Sequence, residues 1–439
     1  MLTLQLGQCG NQLGAALFQK LADETPTGDG GASESTFFRV SGHPSDCSLV
    51  DESAAALTAR AVLVDMEPKV VQQCVRGRRG ARWRYDGANT FMQQSGSGNN
   101  WAFGYAAHGA QHEAALLDLV QALTLAAPSA QELERCDLHR GFFTLQSVAG
   151  GTGSGLGSFL TELLADHFPS ARLLNAVVWP YASGEVIVQN YNTVLTMARL
   201  AAAAHGVFVL QNDAASAMCQ QLLRIARPSF REINDVLATH LASALLPVAS
   251  CEPVREICQE LCQHPGYKLL DIKTIPQMPH RSKEFSTHTW TGILKHLHQM
   301  QVANAPLEEG IDWDVSLATA EGRARNTAVA SVLLLRGKDA SAADVAAFRQ
   351  PQMYAQWNPR PFCWHASTTP FNAYEKTATL VSNSKAAVLT LASTADKAFQ
   401  MFAHGAYLHQ YRRYGVDEAF FQQAFLEIDQ VVQNYKALR

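Results

Sequence analysis

The chain has 439 residues, of which 47% are apolar and 17% charged, with a formal net charge of −4. That length exceeds one ordinary core and that balance is globular, so disordered and fibrous classes are excluded and a large α/β body or two to three domains is expected. The small net charge gives nucleic-acid binding little support, and no apolar run reaches the roughly 18 residues of a membrane helix, so neither nucleic acid nor membrane is expected as a partner.

Met1 runs straight into the strand-like Leu2-Thr3-Leu4-Gln5-Leu6 with no basic leader or apolar signal core, which reads as a cytosolic protein. Nine cysteines, an odd number scattered along the chain, read as reduced thiols. The first strand ends in a glycine turn, Gly7-Gln8-Cys9-Gly10-Asn11-Gln12, which sets amides and backbone N–H groups at one end of a sheet. The Gly/Ser/Thr-rich stretch from Asp23 to Asp51 has no periodicity and reads as a mobile surface loop. Arg60 to Asp65 is a second strand, closing in Asp65-Met66-Glu67-Pro68. Asp65 and Glu67 are two hard oxygen donors there, which in the bland reading mark only a solvated strand end. The short basic run from Arg76 to Arg82 reads as a solvated loop beside a helix end.

Phe142 to Val148 is a third strand, and Ala149-Gly150-Gly151-Thr152-Gly153-Ser154-Gly155 follows it directly, just ahead of the helical Leu156-Gly157-Ser158-Phe159-Leu160. Glycines let the backbone turn sharply and approach a ligand, while the free N–H groups and dipole of the next helix attract phosphate. A polyphosphate cradle is the inference. No Gly-Lys-Ser/Thr closes the run, and it does not sit on the first strand, so it is neither a Walker loop nor a dinucleotide fingerprint.

Leu173 to Trp179 and Val207 to Gln211 complete a series of buried strands separated by helical patterns. Such alternation predicts right-handed βαβ units, a largely parallel sheet and ligands beyond the strands' carboxyl ends. Residues 1–230 are therefore expected to form a Rossmann-like nucleotide-binding domain that includes the start of a core helix. Strands at Tyr267 to Lys273, Val329 to Arg336 and Thr377 to Val381 predict a second, mixed α/β domain over 231–393. From Thr394 apolar residues recur at helical spacing, broken by Gly405 and Gly415, which predicts a hairpin of two long helices over 394–439. Cys258 and Cys262, at i, i+4 with His264 nearby, offer metal-ligand atoms on one helix face, but no fourth ligand is evident and they read as core packing.

Gly7-Gln8-Cys9-Gly10-Asn11-Gln12, with Gly150 to Gly155 far downstream, resembles the nucleotide site of the tubulin superfamily. Val64-Asp65-Met66-Glu67-Pro68, Ser97-Gly98-Asn99-Asn100-Trp101-Ala102 and Val188-Gln189-Asn190-Tyr191-Asn192 resemble further tubulin segments in order, nearly end to end. The resemblance implies a tubulin fold, a GTP or GDP ligand and Mg2+. By the same resemblance Gln8, Cys9 and Gln12 contact the nucleotide, and Asn99, Ser147, Ala149, Gly150, Gly151, Thr152 and Gly153 hold its phosphates. Asp65 and Glu67 lie near the magnesium ion, in direct contact or with water between. Asn212 and Asn234 read the guanine, since a carboxamide is donor and acceptor at once, and Phe230 stacks on the ring.

Trp179-Pro180-Tyr181, Gly184 to Asn192, Leu335 to Asp339, Leu380 to Ser384, Ala406 to Tyr411 and the Ala149 that opens the glycine loop resemble the delta branch. That implies a structural or assembly component of centriole, basal-body and flagellar microtubules in the cytoplasm and cytoskeleton. Its partners would be other tubulins, of alpha, beta or epsilon type, and centriolar proteins. The alternative is a non-polymerising GTP-binding scaffold or regulator.

In polymerising tubulins an Asn-x-Asp loop and a following acid of one subunit complete the pocket of the next. Here Cys251-Glu252-Pro253-Val254-Arg255-Glu256 falls on that loop, so the Asn and Asp are missing and Glu256 stands at the acid position. Glu256 either orients water toward a neighbour's γ-phosphate, in a weak or assembly-dependent GTPase, or is an exposed helical charge. The last residues, Glu427 to Arg439, carry no long glutamate-rich tail, so partners that bind such tails are expected to find little. A nucleotide-dependent metabolic enzyme would need a first-strand dinucleotide fingerprint and a catalytic constellation, and the 15 dispersed histidines supply none.

Overall fold

The computed structural model describes residues 1–25, 36–40, 57–77, 81–125, 141–184, 186–248, 251–279, 282, 288–317 and 326–438. Strand β1 (Leu2–Leu6) leads into α1 (Gly7–Glu24), followed by β2 (Phe38–Val40), β3 (Leu57–Ala59), β4 (Ala61–Asp65) and α2 (Pro68–Arg76). Next come β5 (Trp83–Arg84), β6 (Thr90–Met92), α3 (Ala110–Leu125), β7 (Phe142–Ser147), α4 (Gly157–His167), β8 (Leu173–Trp179), α5 (Gln189–Ala203), β9 (Gly206–Gln211), α6 (Asn212–Ala217) and α7 (Phe230–Leu245). The chain continues through α8 (Pro253–Glu256), β10 (Leu269–Ile275), α9 (Trp290–Val302), β11 (Ala328–Gly337), β12 (Phe362–Ser367) and β13 (Lys376–Ser384). It closes with α10 (Val388–Ala403), α11 (Leu408–Arg412) and α12 (Glu418–Lys436).

Ten strands form one sheet in the order β12-β11-β13-β10-β9-β8-β7-β1-β4-β6. From β6 to β10 every neighbour is parallel. β13 then runs antiparallel to both β10 and β11, and β12 returns parallel to β11. The fold is thus α/β with a mostly parallel sheet that becomes mixed in its later strands. β1, β4 and β8 are buried along their whole length, as strands covered on both faces must be, and the polar residues they carry, Thr3, Gln5, Asp65 and Asn175, are buried with them.

Helices cover both faces. On one, Leu13, Leu17 and Phe18 of α1 share a core with Ile233, Leu237 and Leu241 of α7. On the other, Tyr191 and Val194 of α5 pack with Tyr411, Phe421 and Ile428 of the closing helices. α7 starts at a capping box, in which the Ser229 hydroxyl accepts from the Arg231 N–H and the Glu232 carboxylate from the Ser229 N–H. It ends on Arg336, whose buried guanidinium donates to the carbonyls of Ser243 and Leu246 at 2.6 Å each. Among the described residues no helix is long and apolar enough to cross a membrane.

Three expectations need correction. The C-terminal segment holds the two long helices expected, but the first starts at Val388 rather than at Thr394, and a short α11 lies between Gly405 and Gly415, both at positive φ. Within the expected loop from Asp23 to Asp51, Phe38–Val40 is a strand antiparallel to β3, and the Phe38 ring meets Phe18 edge-on at 5.5 Å; residues 26–35 and 41–51 lie outside the described residues. A three-residue strand is too short to show a period. Arg82, at the end of the basic run, is not simply solvated: it donates to the carbonyls of Ala22 and Thr25 at the close of α1, while residues 78–80 lie outside the described residues.

Candidate nucleotide-binding site

β1 and β7 are parallel neighbours, Gln5 standing opposite Leu145, so the turns that follow them emerge side by side. Gly7 opens α1 at φ +69°, where a side chain would be strained. A Cβ there would also lie 2.9 Å from the Gly153 backbone nitrogen, so the first turn of α1 touches the loop after β7. That loop passes through 148–151 and a wide π-turn, Thr152–Leu156, before α4 begins. Neither helical start carries a side-chain cap or an acidic residue in its first turn. Their unpaired N–H groups and positive dipole ends therefore remain for an anion.

The loop is walled on one side and open on the other. A Cβ on Gly151 would meet the Ser97 side chain at 2.6 Å, and the Ser97 and Thr152 hydroxyls are 2.9 Å apart. On Gly150 it would find only the Asn99 side-chain oxygen, at 3.8 Å. Gly150, Asn99 and the half-buried Ser147, Ala149 and Thr152 thus share one exposed rim, with Gly153 buried behind it. The Ser147 hydroxyl accepts from the Ala149 N–H at 3.2 Å, which fixes the first step of the turn.

One residue holding this rim received no role from the sequence. The Asn192 carboxamide, fully buried on α5, donates to the carbonyls of Asn99 at 2.8 Å and Ala149 at 2.7 Å. Its oxygen accepts from the Trp101 N–H at 3.0 Å and the Tyr411 hydroxyl at 2.7 Å. All four of its hydrogen-bonding positions are used. The available signal was an Asn on a helix face that is otherwise buried, where a carboxamide needs partners.

β4 borders β1 on the other side, and the Asn11 amide ties the two turns by donating to the carbonyls of Gly7 at 2.9 Å and Val64 at 3.2 Å. Asp65 ends β4 and is only 4% exposed. Burial pushes its carboxyl up to about 6, with Glu67 adding repulsion and backbone N–H groups of Glu67 and Met66 opposing. A buried hard-oxygen donor whose charged neighbour has the same sign fits a divalent cation. Glu67 is exposed, with its carboxylate against Gly96 just ahead of Ser97. The Cys9 thiol is pushed up to about 12 by burial and stays protonated, so it can line a site but not attack.

Gln12, Phe230 and Asn234 line one groove of about 1420 Å³ between α1 and α7. Phe230 is 48% exposed, with its ring 6.3 Å from that of Tyr181, so an apolar face is available to a planar ligand. Asn234, 8% exposed, puts its carboxamide in the same wall. Gln8 is exposed on the first turn of α1. Asn212, half-buried at the head of α6, is not part of the groove lining.

Glu256 lies elsewhere. Its neighbours Glu252, Arg255 and Gln259 line a cleft with Met1 and Arg172, just ahead of β1 and β8, at the sheet edge opposite the glycine turns. Its carboxylate stands 3.8 Å from His365 Nε2. Cys258 and Cys262 are packed thiols raised by burial, and His264 rests against Tyr267 and Trp357.

Residues 1–220 match the family described as Tubulin/FtsZ family, GTPase domain. The chain belongs to the tubulin family. It is 40% identical to the tubulin delta chain of Canis lupus familiaris and 38% identical to that of Homo sapiens, covering 99% of each chain compared. Its identity to the tubulin beta-6 chain of Gossypium hirsutum is 26%, over 99% of this chain and 94% of the other. This tubulin is therefore of the delta type, and guanine nucleotide is the ligand its family implies.

Proposed function

We propose that the chain binds GTP or GDP with Mg2+ and serves as a structural or assembly component of centriole, basal-body and flagellar microtubules. The reading rests above all on the two uncapped helix starts at Gly7 and Thr152, held in contact beside the Gln12–Phe230–Asn234 groove. The first turn of α1, with Gln8 and Cys9, and the Gly150–Gly153 loop would take the phosphates, with Ser147, Ala149 and Asn99 at the rim. Asn234 and Phe230 would take the base, and Asn212 would approach it from the head of α6. Asp65 and Glu67 would hold Mg2+ directly or through water, and the ion, when bound, offsets phosphate charge. Residues 1–230 would form the nucleotide-binding unit, 231–393 the intermediate unit and 394–439 the helical closure.

Glu256 stands at the opposite sheet edge from the glycine turns, so any role in hydrolysis would be toward a neighbour's nucleotide. The partners would be other tubulins and centriolar proteins in the cytoplasm and cytoskeleton. A second reading, a non-polymerising GTP-binding scaffold, is favoured by the missing Asn and Asp at Cys251 to Glu256. Purified protein would be denatured and its released nucleotide identified by chromatography, with Asn234→Ala alongside. Guanine nucleotide that is lost in the variant supports the site. An empty or adenine-loaded protein sinks it.

A further inference from the structure

Cys251, Glu256 and His365 meet at the edge away from the glycine turns. Cys251 is buried and fixed by a reciprocal backbone pair with Val248, N to O at 2.9 and 3.2 Å. Pro253 then starts α8, which carries Glu256 at its end. His365 comes from β12, more than a hundred residues on, held in register opposite Leu334 of β11. One ligand atom from each side chain lies within 4.8 Å of the other two. His365 Nε2 is buried and makes no hydrogen bond, though the Glu256 carboxylate is 3.8 Å away.

We propose that these three side chains form a zinc site with one open position. Thiolate, imidazole and carboxylate together make a borderline-soft set, which selects Zn2+ over Mg2+ or Ca2+. Tetrahedral zinc with bonds of roughly 2.0–2.3 Å needs its donors about 3.5 Å apart, so each has to draw in by about 1 Å or less. Side-chain rotation supplies that movement, because Cys251 and His365 stand on fixed backbone and Glu256 closes a short helix. Binding displaces the Cys251 thiol proton to solvent, and water fills the fourth position. With side-chain exposures of 26% and 29%, Glu256 and His365 leave the ion a path inward.

The bound ion would clamp the α7–α8 connection to the sheet edge and hold the Glu256 carboxylate within its own chain. Only that last effect rests on the proposed role of Glu256 toward a neighbour's nucleotide. The site itself does not.

The test uses the full chain, stripped with a chelator and titrated with Zn2+ against a competing indicator, and with Co2+ as a spectroscopic substitute. One equivalent of Co2+ is expected to give thiolate-to-metal charge-transfer absorption. Cys251→Ser should abolish it, and His365→Gln should weaken zinc binding at least tenfold, while Cys74→Ser changes neither. Folding is checked by far-ultraviolet circular dichroism, and nucleotide content is measured on the same samples. Absence of the cobalt band, or unchanged zinc affinity in both folded cluster variants, overturns the site. If nucleotide content stays normal in that case, the failure belongs to the metal site alone; metal binding without nucleotide would sink the nucleotide reading instead.

Discussion

The two edges of the sheet are built from different materials. At the carboxyl ends of β1 and β7 the candidate site is mostly backbone: glycine turns packed against each other, uncapped N–H groups, and a rim pinned by Asn192. At the opposite edge the notable groups are side chains, Cys251, Glu256 and His365, delivered by segments far apart in sequence. A backbone-built site leaves glycines at fixed places after a strand, because a side chain there strikes a neighbouring chain. A side-chain cluster leaves no such trace, since its members need only converge in space.

The sharpest test of the backbone edge is Gly10→Ala. A Cβ at Gly10 would collide with the Leu145 carbonyl oxygen, so α1 must leave β7. The expected loss is about 3 kcal/mol or more in chemical denaturation, and a variant as stable as the parent would remove close packing as the reason for this glycine. Arg336→Met tests the other side of the sheet. It leaves the Ser243 and Leu246 carbonyls without their donor, and a loss of roughly 3 kcal/mol with nucleotide content retained is expected. Coupled loss of nucleotide would show that the edges are not separable.

Asn192→Ala removes four hydrogen bonds at the rim and should cost on the order of 2–3 kcal/mol while lowering nucleotide affinity at least tenfold. Calorimetric titration together with thermal unfolding separates the two effects, and a stability loss with normal affinity would reduce Asn192 to a packing residue. Asp65 gives a pH dependence of definite sign. Its folded carboxyl is raised to about 6 from 3.8, so its share of stability is present at low pH and is lost as pH rises through that interval. Asp65→Asn is therefore expected to raise the melting temperature of nucleotide-free protein at pH 7 by a few degrees, to flatten its change between pH 4 and 6, and to abolish stabilisation by Mg2+ with nucleotide. A melting curve that still responds to Mg2+ would move the cation elsewhere. The smallest structural effect belongs to Gly150→Ala, whose Cβ would meet only the Asn99 side-chain oxygen at an ordinary 3.8 Å: about 0.5 kcal/mol or less in stability, but weaker nucleotide binding because the methyl stands on the rim. Unchanged binding there would place the phosphates away from Gly150.

The parallel half of the fold was legible because its strands are covered on both faces and read as apolar runs. β1 and β8 match their expected limits, and β7 falls one residue short of its expected end. β12 was not foreseen, because at the sheet edge all six of its residues are only partly covered and Phe362-Cys363-Trp364-His365-Ala366-Ser367 shows no clean alternation. The α11 turn was missed for a similar reason: five residues are too few for a helical period. At the site, the glycine loops were readable from backbone chemistry, whereas Gln12, Phe230 and Asn234 were reached only through family resemblance. The groove that gathers these three requires α1 to lie along α7, a contact between segments two hundred residues apart.

Asn192 has neither a free proton nor a free lone pair, and its oxygen is held by Tyr411 on an outer helix. A ligand on the glycine loop and a partner on α11 would each press on a partner of this same carboxamide. If one of them shifts it, thermodynamic reciprocity requires each to change the other's affinity by an equal factor. A partner seated on the closing helices would then sense the occupancy of a pocket it never touches.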